Sequence, residues 1–199
     1  MQSKKTLVIA SGNKHKIKEI AGMFPTLNVV GCYEMGFKDE VVEDGKTFYD
    51  NALIKAKTIS EALKMPVLSD DSGICVKALN EAPGIYSARY AGDGIDEHNN
   101  QLLLKNLQGV LDRSAKFVCC MVYYDNGKIL SATGETHGYI LDKEYGEHGF
   151  GYDPLFYSKD LEKCFGLASP EEKDRVSHRF RAVEGIKKLL IKEKVYEDL

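Results

Sequence analysis

An α/β fold built on one mixed β-sheet is the architecture that three features of the sequence predict. Short apolar, β-branched runs alternate with segments of helical periodicity, two long apolar runs flank an Asp-Asn-Gly turn, and neither an internal repeat nor a low-complexity linker interrupts the chain. With 199 residues, 43% of them hydrophobic, the chain can bury the core of a single domain spanning 1–199.

Thr6-Leu7-Val8-Ile9-Ala10 is continuously apolar after its first residue and predicts a buried strand. Ser11-Gly12-Asn13 breaks it. Ile17, Ile20, Ala21 and Phe24 then recur at helical spacing behind Asn13 as N-cap, and Pro25 closes the helix. Thr47 and Asp50 have capping-box spacing ahead of a second helix, whose inner face is Leu53, Ala56, Ile59, Ser60 and Leu63. Pro66 ends that segment, and Val67-Leu68-Ser69 predicts a short buried strand. From Asp70 to Gly94 the glycine content predicts loop. A third helix is expected over 97–107, with Leu103 and Leu107 pointing one way. Two long strands over 116–124 and 128–140 follow, joined by Asp125-Asn126-Gly127. Ser169-Pro170-Glu171-Glu172 combines N-cap, proline at the first position and a capping-box glutamate. The last helix follows Ser177, with Val183, Ile186 and Leu190 inward and Lys187, Lys188, Lys192 and Lys194 on a solvated face.

Composition narrows the functional classes. A net charge of −3 supplies no global positive field for a nucleic-acid backbone, so a polyanionic partner must be small and met by local cations. The five cysteines (Cys32, Cys75, Cys119, Cys120 and Cys164) are odd in number and include no C-x-x-C pair, which argues against a disulfide framework or a zinc ribbon. They read as small apolar residues in a reducing compartment. The run from Leu7 to Ala10 is too short for a signal peptide, and no stretch approaches the roughly 20 apolar residues of a membrane span. A soluble, cytoplasmic protein is expected.

Four clusters carry chemistry. Ser11, Gly12, Asn13, Lys14, His15 and Lys16 lie where a buried strand meets a helix start, which offers amide N–H groups and a partial positive charge to a phosphate. Taken alone, the segment is a weak signal and is more simply an ordinary strand-to-helix turn, because neither the P-loop pattern nor G-x-G-x-x-G is present. Asp70 and Asp71 form the second cluster, in Ser69-Asp70-Asp71-Ser72-Gly73. Side chains alternate along extended backbone, so the two carboxylates face different ways; one can bind Mg²⁺ and act on its water, and a solvated Asx turn is the plain alternative. Ahead of the second helix Glu43 and Asp44 add acids, which suit either a metal or a helix N-terminus, while Asn51 and Lys55 share an edge of that helix. Gly149-Phe150-Gly151-Tyr152-Asp153-Pro154 sets aromatic rings between glycines, suited to stacking a purine or to a glycine-rich turn with core rings. Finally, Lys173 and Ser177-His178-Arg179 gather cations near a second helix start. A site of donors accepts the 6-oxo group of hypoxanthine and opposes the 6-amino donor of adenine.

In this order, and together with Ala82-Pro83-Gly84-Ile85-Tyr86-Ser87-Ala88-Arg89-Tyr90, these segments resemble the inosine triphosphate pyrophosphatase family, which cleaves non-standard purine nucleoside triphosphates. The resemblance runs from the first strand to the last helix. It implies an elongated α/β protein with a long mixed sheet, two lobes around a central cleft, and a homodimer that binds a small nucleoside triphosphate, with no nucleic acid and no membrane. It also implies Mg²⁺-dependent hydrolysis of ITP, dITP and XTP to the monophosphate and pyrophosphate. By the same resemblance, Ser11 to Lys16 hold the triphosphate, Lys55 adds a phosphate contact, and Asp71 is base and metal ligand beside Glu43, with Asp70 in support. Ser72 touches substrate, Phe150, Gly151, Tyr152 and Asp153 line the base pocket, Lys173 reaches the nucleotide, and His178 and Arg179 read the base. The chain departs from the family pattern at Phe180-Arg181 and at Tyr145-Gly146-Glu147-His148; neither removes a group the chemistry needs.

Overall fold

The computed structural model of the chain describes residues 4–199. Strand β1 (Thr6–Ile9) places Leu7, Val8 and Ile9 wholly out of solvent, as its unbroken apolar run demands. It pairs in parallel with β2 (Asn28–Gly31), Val8 opposite Val30, and with β3 (Val67–Val76), Ile9 opposite Leu68. Only Val29 and Val30 are apolar in β2, too short a run to have signalled a strand; it forms at the sheet edge, where β1 supplies the pairing partner.

Between β1 and β2 runs α1 (Lys14–Met23), capped by Asn13, whose Oδ1 accepts from the backbone N–H of His15 (2.9 Å) and of Lys16 (3.2 Å). Helix α2 (Phe48–Leu63) begins with the expected reciprocal box, Thr47 capping Asp50 N–H and the Asp50 carboxylate accepting from Thr47 N–H. It stops at Lys64, whose φ of 54° is left-handed. The segment after Ser69 departs from expectation: β3 does not end there but continues through Asp70 and Asp71 to Val76, so the two acids stand inside a strand rather than in a loop.

Helix α3 (Asp96–Asn106) lies within a residue of its predicted bounds and buries Leu103. Strands β4 (Ser114–Asp125) and β5 (Lys128–Ile140) flank Asn126 (φ 46°) and Gly127 (φ 86°), the pair of positive φ angles that a two-residue hairpin turn requires. Strands β6 (Phe156–Ser158) and β7 (Lys163–Cys164) continue antiparallel from β5, giving one seven-stranded mixed sheet in the order β2-β1-β3-β4-β5-β6-β7. The capping box at Ser169 opens a helix of only five residues, α4 (Pro170–Asp174), and α5 (His178–Lys192) buries Val183, Ile186 and Leu190 as predicted. Lys187 differs from its solvated neighbours: its ammonium lies 5.3 Å from the centre of the Phe24 ring.

The fold divides into two compact units. One holds the residues up to Asp71 with Cys120–Thr133 and Ala182–Leu199; the other holds Ser72–Cys119 and Gly134–Arg181. Each has its own apolar cluster. Val8, Phe37, Ala56, Ile59, Val67 and Val122 form the first, and Ile74, Leu103, Phe117, Tyr152, Phe156 and Phe165 the second. Among the described residues no helix is long and apolar enough to cross a membrane.

Candidate active site

In the first unit the end of β1, the start of α1, one edge of α2 and the middle of β3 converge on a small group of charges. Asp70 and Asp71 are both buried, 1% and 7% exposed, so each needs a compensating partner. Their partners differ, as alternation along the strand requires. Lys16 on the first turn of α1 places its ammonium 3.2 Å from Asp70 Oδ2. Asn51 donates from Nδ2 to Asp71 Oδ2 at 3.2 Å, and Lys55, one turn further along α2, stands 4.0 Å from Asp71 Oδ1. Lys55 also donates to the backbone oxygen of Asp70 (2.8 Å) and lies 3.3 Å from Glu43 Oε1. The loop carrying Glu43 is tied to the same helix by Gly45 N–H, which donates to Asn51 Oδ1 at 2.9 Å.

Three carboxylates (Glu43, Asp70 and Asp71) face two ammonium groups (Lys16 and Lys55). Burial pushes the Asp71 carboxyl above its ordinary value; Lys55 draws it down, Glu43 pushes it up again, and Asn51 and Lys16 lower it. A triphosphate would add further negative charge to a group whose lysines are already committed to carboxylates. Among the described residues no three His, Cys, Asp or Glu side chains come together as a metal cage. Two carboxylates suit a hard divalent ion of the magnesium kind, which keeps waters and takes its remaining ligands from phosphate oxygens. The donor set of Glu43 and Asp71 fits that ion.

The start of α1 refines the expected phosphate loop. Asn13 Oδ1 takes the amides of His15 and Lys16, and Ser11 Oγ accepts from Asn13 N–H at 3.0 Å. The Lys16 ammonium and the helix field therefore face an anion more directly than a row of open amides. Lys14 and His15 are exposed beside it.

The second unit holds the remaining candidates. The Asp153 carboxylate, 2% exposed, accepts from the Lys173 ammonium at 2.7 Å and from Phe150 N–H at 2.9 Å. Gly149 makes room for it: with φ +77°, its backbone lies so close to the Asp153 carboxylate that a Cβ would collide with it. Lys173 lies 4.8 Å from the centre of the Phe150 ring and Arg179 5.8 Å, so cations flank this aromatic. Arg179 is 2% exposed and donates from Nη2 to Ser72 Oγ at 3.3 Å. The His178 ring stacks on Phe117, centroids 4.8 Å apart and planes 14° from parallel.

Each predicted residue thus has a definite place. Lys16, Glu43, Lys55, Asp70 and Asp71 are joined by contacts in one cluster, with Ser11 to His15 in the turn and helix start that lead to Lys16; Ser72, Phe150, Asp153, Lys173 and Arg179 are joined in the other, while His178 lies on Phe117 and Gly151 is bonded to Asp96 and Asn100. Lys173 stands in α4 and His178 and Arg179 in α5, so the cations that one helix start was expected to gather come from two helices. Tyr152 is packed into the apolar core of its unit, its hydroxyl donating to the Ser87 oxygen at 2.6 Å. At the departure Phe180-Arg181, Arg181 turns to the Glu135 oxygen and to Asp160, each at 2.7 Å. Sequence reasoning missed Asn51 as the residue that orients Asp71, although its spacing from Lys55 was the available signal. It also missed Phe117, which no motif marks. All five cysteines are buried, and burial raises the thiols of Cys32, Cys120 and Cys164 and pushes Cys75 up to about 11, which leaves these four unsuited to nucleophilic work at neutral pH.

Residues 7–189 match the Ham1 family. The chain is 44% identical over 195 residues to the dITP/XTP pyrophosphatase of Clostridium perfringens (strain 13 / Type A), covering 92% of this chain and 96% of that one. The structure of the Staphylococcus aureus Ham1 protein superposes with a TM-score of 0.87 at 42% identity, over 95% of this chain and 100% of that chain. A HAM1 protein structure from Coxiella burnetii gives a TM-score of 0.86 at 35% identity, over 94% and 99% of the two chains.

Proposed function

We propose, from the premise that this chain belongs to the Ham1 family, that it is a dITP/XTP pyrophosphatase. It clears non-standard purine nucleotides, ITP with them, by hydrolysing each to the monophosphate and pyrophosphate. The observation that carries the chemical assignment is the setting of Asp71: buried, one oxygen held by Asn51, the other facing Lys55, with Glu43 close enough to raise its carboxyl. With Oδ2 engaged by the amide, Oδ1 is the atom that takes the proton from an attacking water. Lys16 and Lys55 exchange carboxylates for phosphate oxygens when nucleotide arrives, and hold the charge of the departing pyrophosphate. A magnesium ion on Glu43 and Asp71 would supply positive charge to the phosphates and lower the pKa of a bound water. No nucleophilic serine or cysteine takes part.

The purine is read by the second cluster. Arg179 is immobilised by burial, by Ser72 and by the Phe150 ring, and with His178 it presents donors to a 6-oxo group. Adenine's amino group meets another donor there, a mismatch that a buried site penalises. Assembly as a homodimer and a cytoplasmic location belong to the same proposal; buried thiols suit a reducing compartment.

Pyrophosphate release from dITP, XTP and ITP, set against dATP, ATP and dUTP, tests the reading. The oxo-purines are expected to react and the others to lag. Arg179→Ala is expected to lower the dITP-to-dATP ratio of kcat/KM by about tenfold or more. Equal turnover of dATP by the wild-type protein, or an unchanged ratio in the variant, contradicts the assignment of Arg179.

A further inference from the structure

Gly151 has a left-handed backbone, φ +61°, at the centre of the proposed base-binding loop, and helix α3 grips its peptide groups on both sides. Gly151 N–H donates to Asp96 Oδ2 at 2.8 Å, and Asn100 Nδ2 donates to the Gly151 oxygen at 3.2 Å. Asp96 and Asn100 are four residues apart and so share one edge of the helix. Asn100 is 3% exposed and divides its amide donors between Gly151 and Glu144 Oε1 (2.8 Å), while its buried Oδ1 meets no donor among the described residues. A buried amide kept at that cost is aimed at its two acceptors.

The helix is itself well anchored. Asn99 donates to the Ala88 oxygen (3.2 Å) and accepts from Ala91 N–H (2.7 Å), and Leu103 is completely buried. Around Gly151 the neighbours are pinned by other means, Phe150 N–H by Asp153 and the Tyr152 hydroxyl by the Ser87 oxygen. Glycine is the residue with the most backbone freedom to lose. Loosening its two peptide groups would let the preceding residue turn, and that residue is Phe150, whose ring lies against Lys173 and Arg179.

We propose that Asp96 and Asn100 are positioning residues for purine recognition: by clamping Gly151 from α3, they fix the Phe150 ring against the cations that read the base. The inference rests on the assignment of Phe150 to Asp153 to the base pocket. A helix edge outside the glycine-aromatic motif thereby sets specificity without touching substrate.

Three variants test it by steady-state hydrolysis of dITP and dATP alongside thermal melting. Asp96 is exposed, so Asp96→Ala is expected to fold; it should raise KM for dITP by about tenfold, leave kcat within about twofold, and lower the dITP-to-dATP ratio. Asp96→Asn keeps an oxygen acceptor for Gly151 N–H and should restore KM and ratio. Glu97→Ala removes the neighbouring acid from the same helix turn, with no bond to Gly151, and should match wild type in both. Wild-type kinetics in Asp96→Ala, equal damage in Glu97→Ala, or failure of Asp96→Asn to rescue overturns the clamp while the activity stands. A wild-type protein that releases no pyrophosphate from dITP overturns the functional reading, and the clamp with it.

Discussion

Asn in place of Asp71 is expected to cut kcat for dITP by about 10³-fold while the metal-free protein melts at or above the wild-type temperature. The two halves of that expectation come from one environment. Asp71 is 7% exposed, and burial, its largest influence, raises the carboxyl above the ordinary aspartate value. A raised folded-state value means that the protonated form is favoured in the fold. Its contribution to stability is complete below the unfolded pKa and is lost as pH rises through the folded one. At neutral pH the ionised side chain therefore burdens the fold, and a neutral amide of the same shape relieves it. The amide still offers an oxygen to Asn51 Nδ2 but cannot take a proton from water. Kinetics and melting together separate a catalytic loss from a folding loss: near-wild-type kcat refutes the assignment of the base, and a large drop in Tm would mean that the carboxylate serves the fold instead.

Asp153→Ala is expected to have the largest effect on stability. Its carboxylate takes both the Lys173 ammonium, 2.7 Å away, and Phe150 N–H. Lys173 is itself 6% exposed, so the substitution leaves a buried charge without that counter-ion, a loss of about 3–5 kcal/mol. The double variant Asp153→Ala with Lys173→Met removes both charges and should recover most of this stability, because an apolar pair replaces a broken ionic one. It should not recover the preference for dITP over dATP, since Phe150 loses its N–H anchor and one of the two cations beside its ring, keeping only Arg179. Chemical denaturation of the three proteins reads the first claim. A single variant within about 1 kcal/mol of wild type contradicts the buried pair.

Much of this molecule was legible from local rules. The capping boxes at Thr47 and Ser169, the N-cap Asn13 and the Asn126-Gly127 turn are one-segment devices, and each is found where the sequence put it. Strands that depend on partners were harder. Asn28–Gly31 and Lys163–Cys164 have too few apolar residues to signal themselves and exist because neighbouring strands pair with them. The extension of β3 through Asp70 and Asp71 was hidden for a related reason: charged residues argue against a buried strand until Lys16 and Lys55, which lie far away in sequence, bring compensation. In the candidate site, residue types could be chosen from the chain, but not their partners. Nothing local pairs Asp153 with Lys173, places Tyr152 in the core, or aims Asp96 and Asn100 at Gly151.

Glu43 and Asp71 share the Lys55 ammonium, and in the proposed reaction a divalent ion joins the two carboxylates together with the substrate. The most direct test titrates Mn²⁺, as a spectroscopic substitute for Mg²⁺, into the protein with and without a dITP analogue bearing a nitrogen bridge between its α and β phosphorus atoms. Weak binding is expected for Mn²⁺ alone, tightened about tenfold or more by the nucleotide, with no such gain in Asp71→Asn beyond the analogue's own affinity for the ion. Equal Mn²⁺ affinity with and without the analogue, or a full gain in the variant, would contradict the proposal.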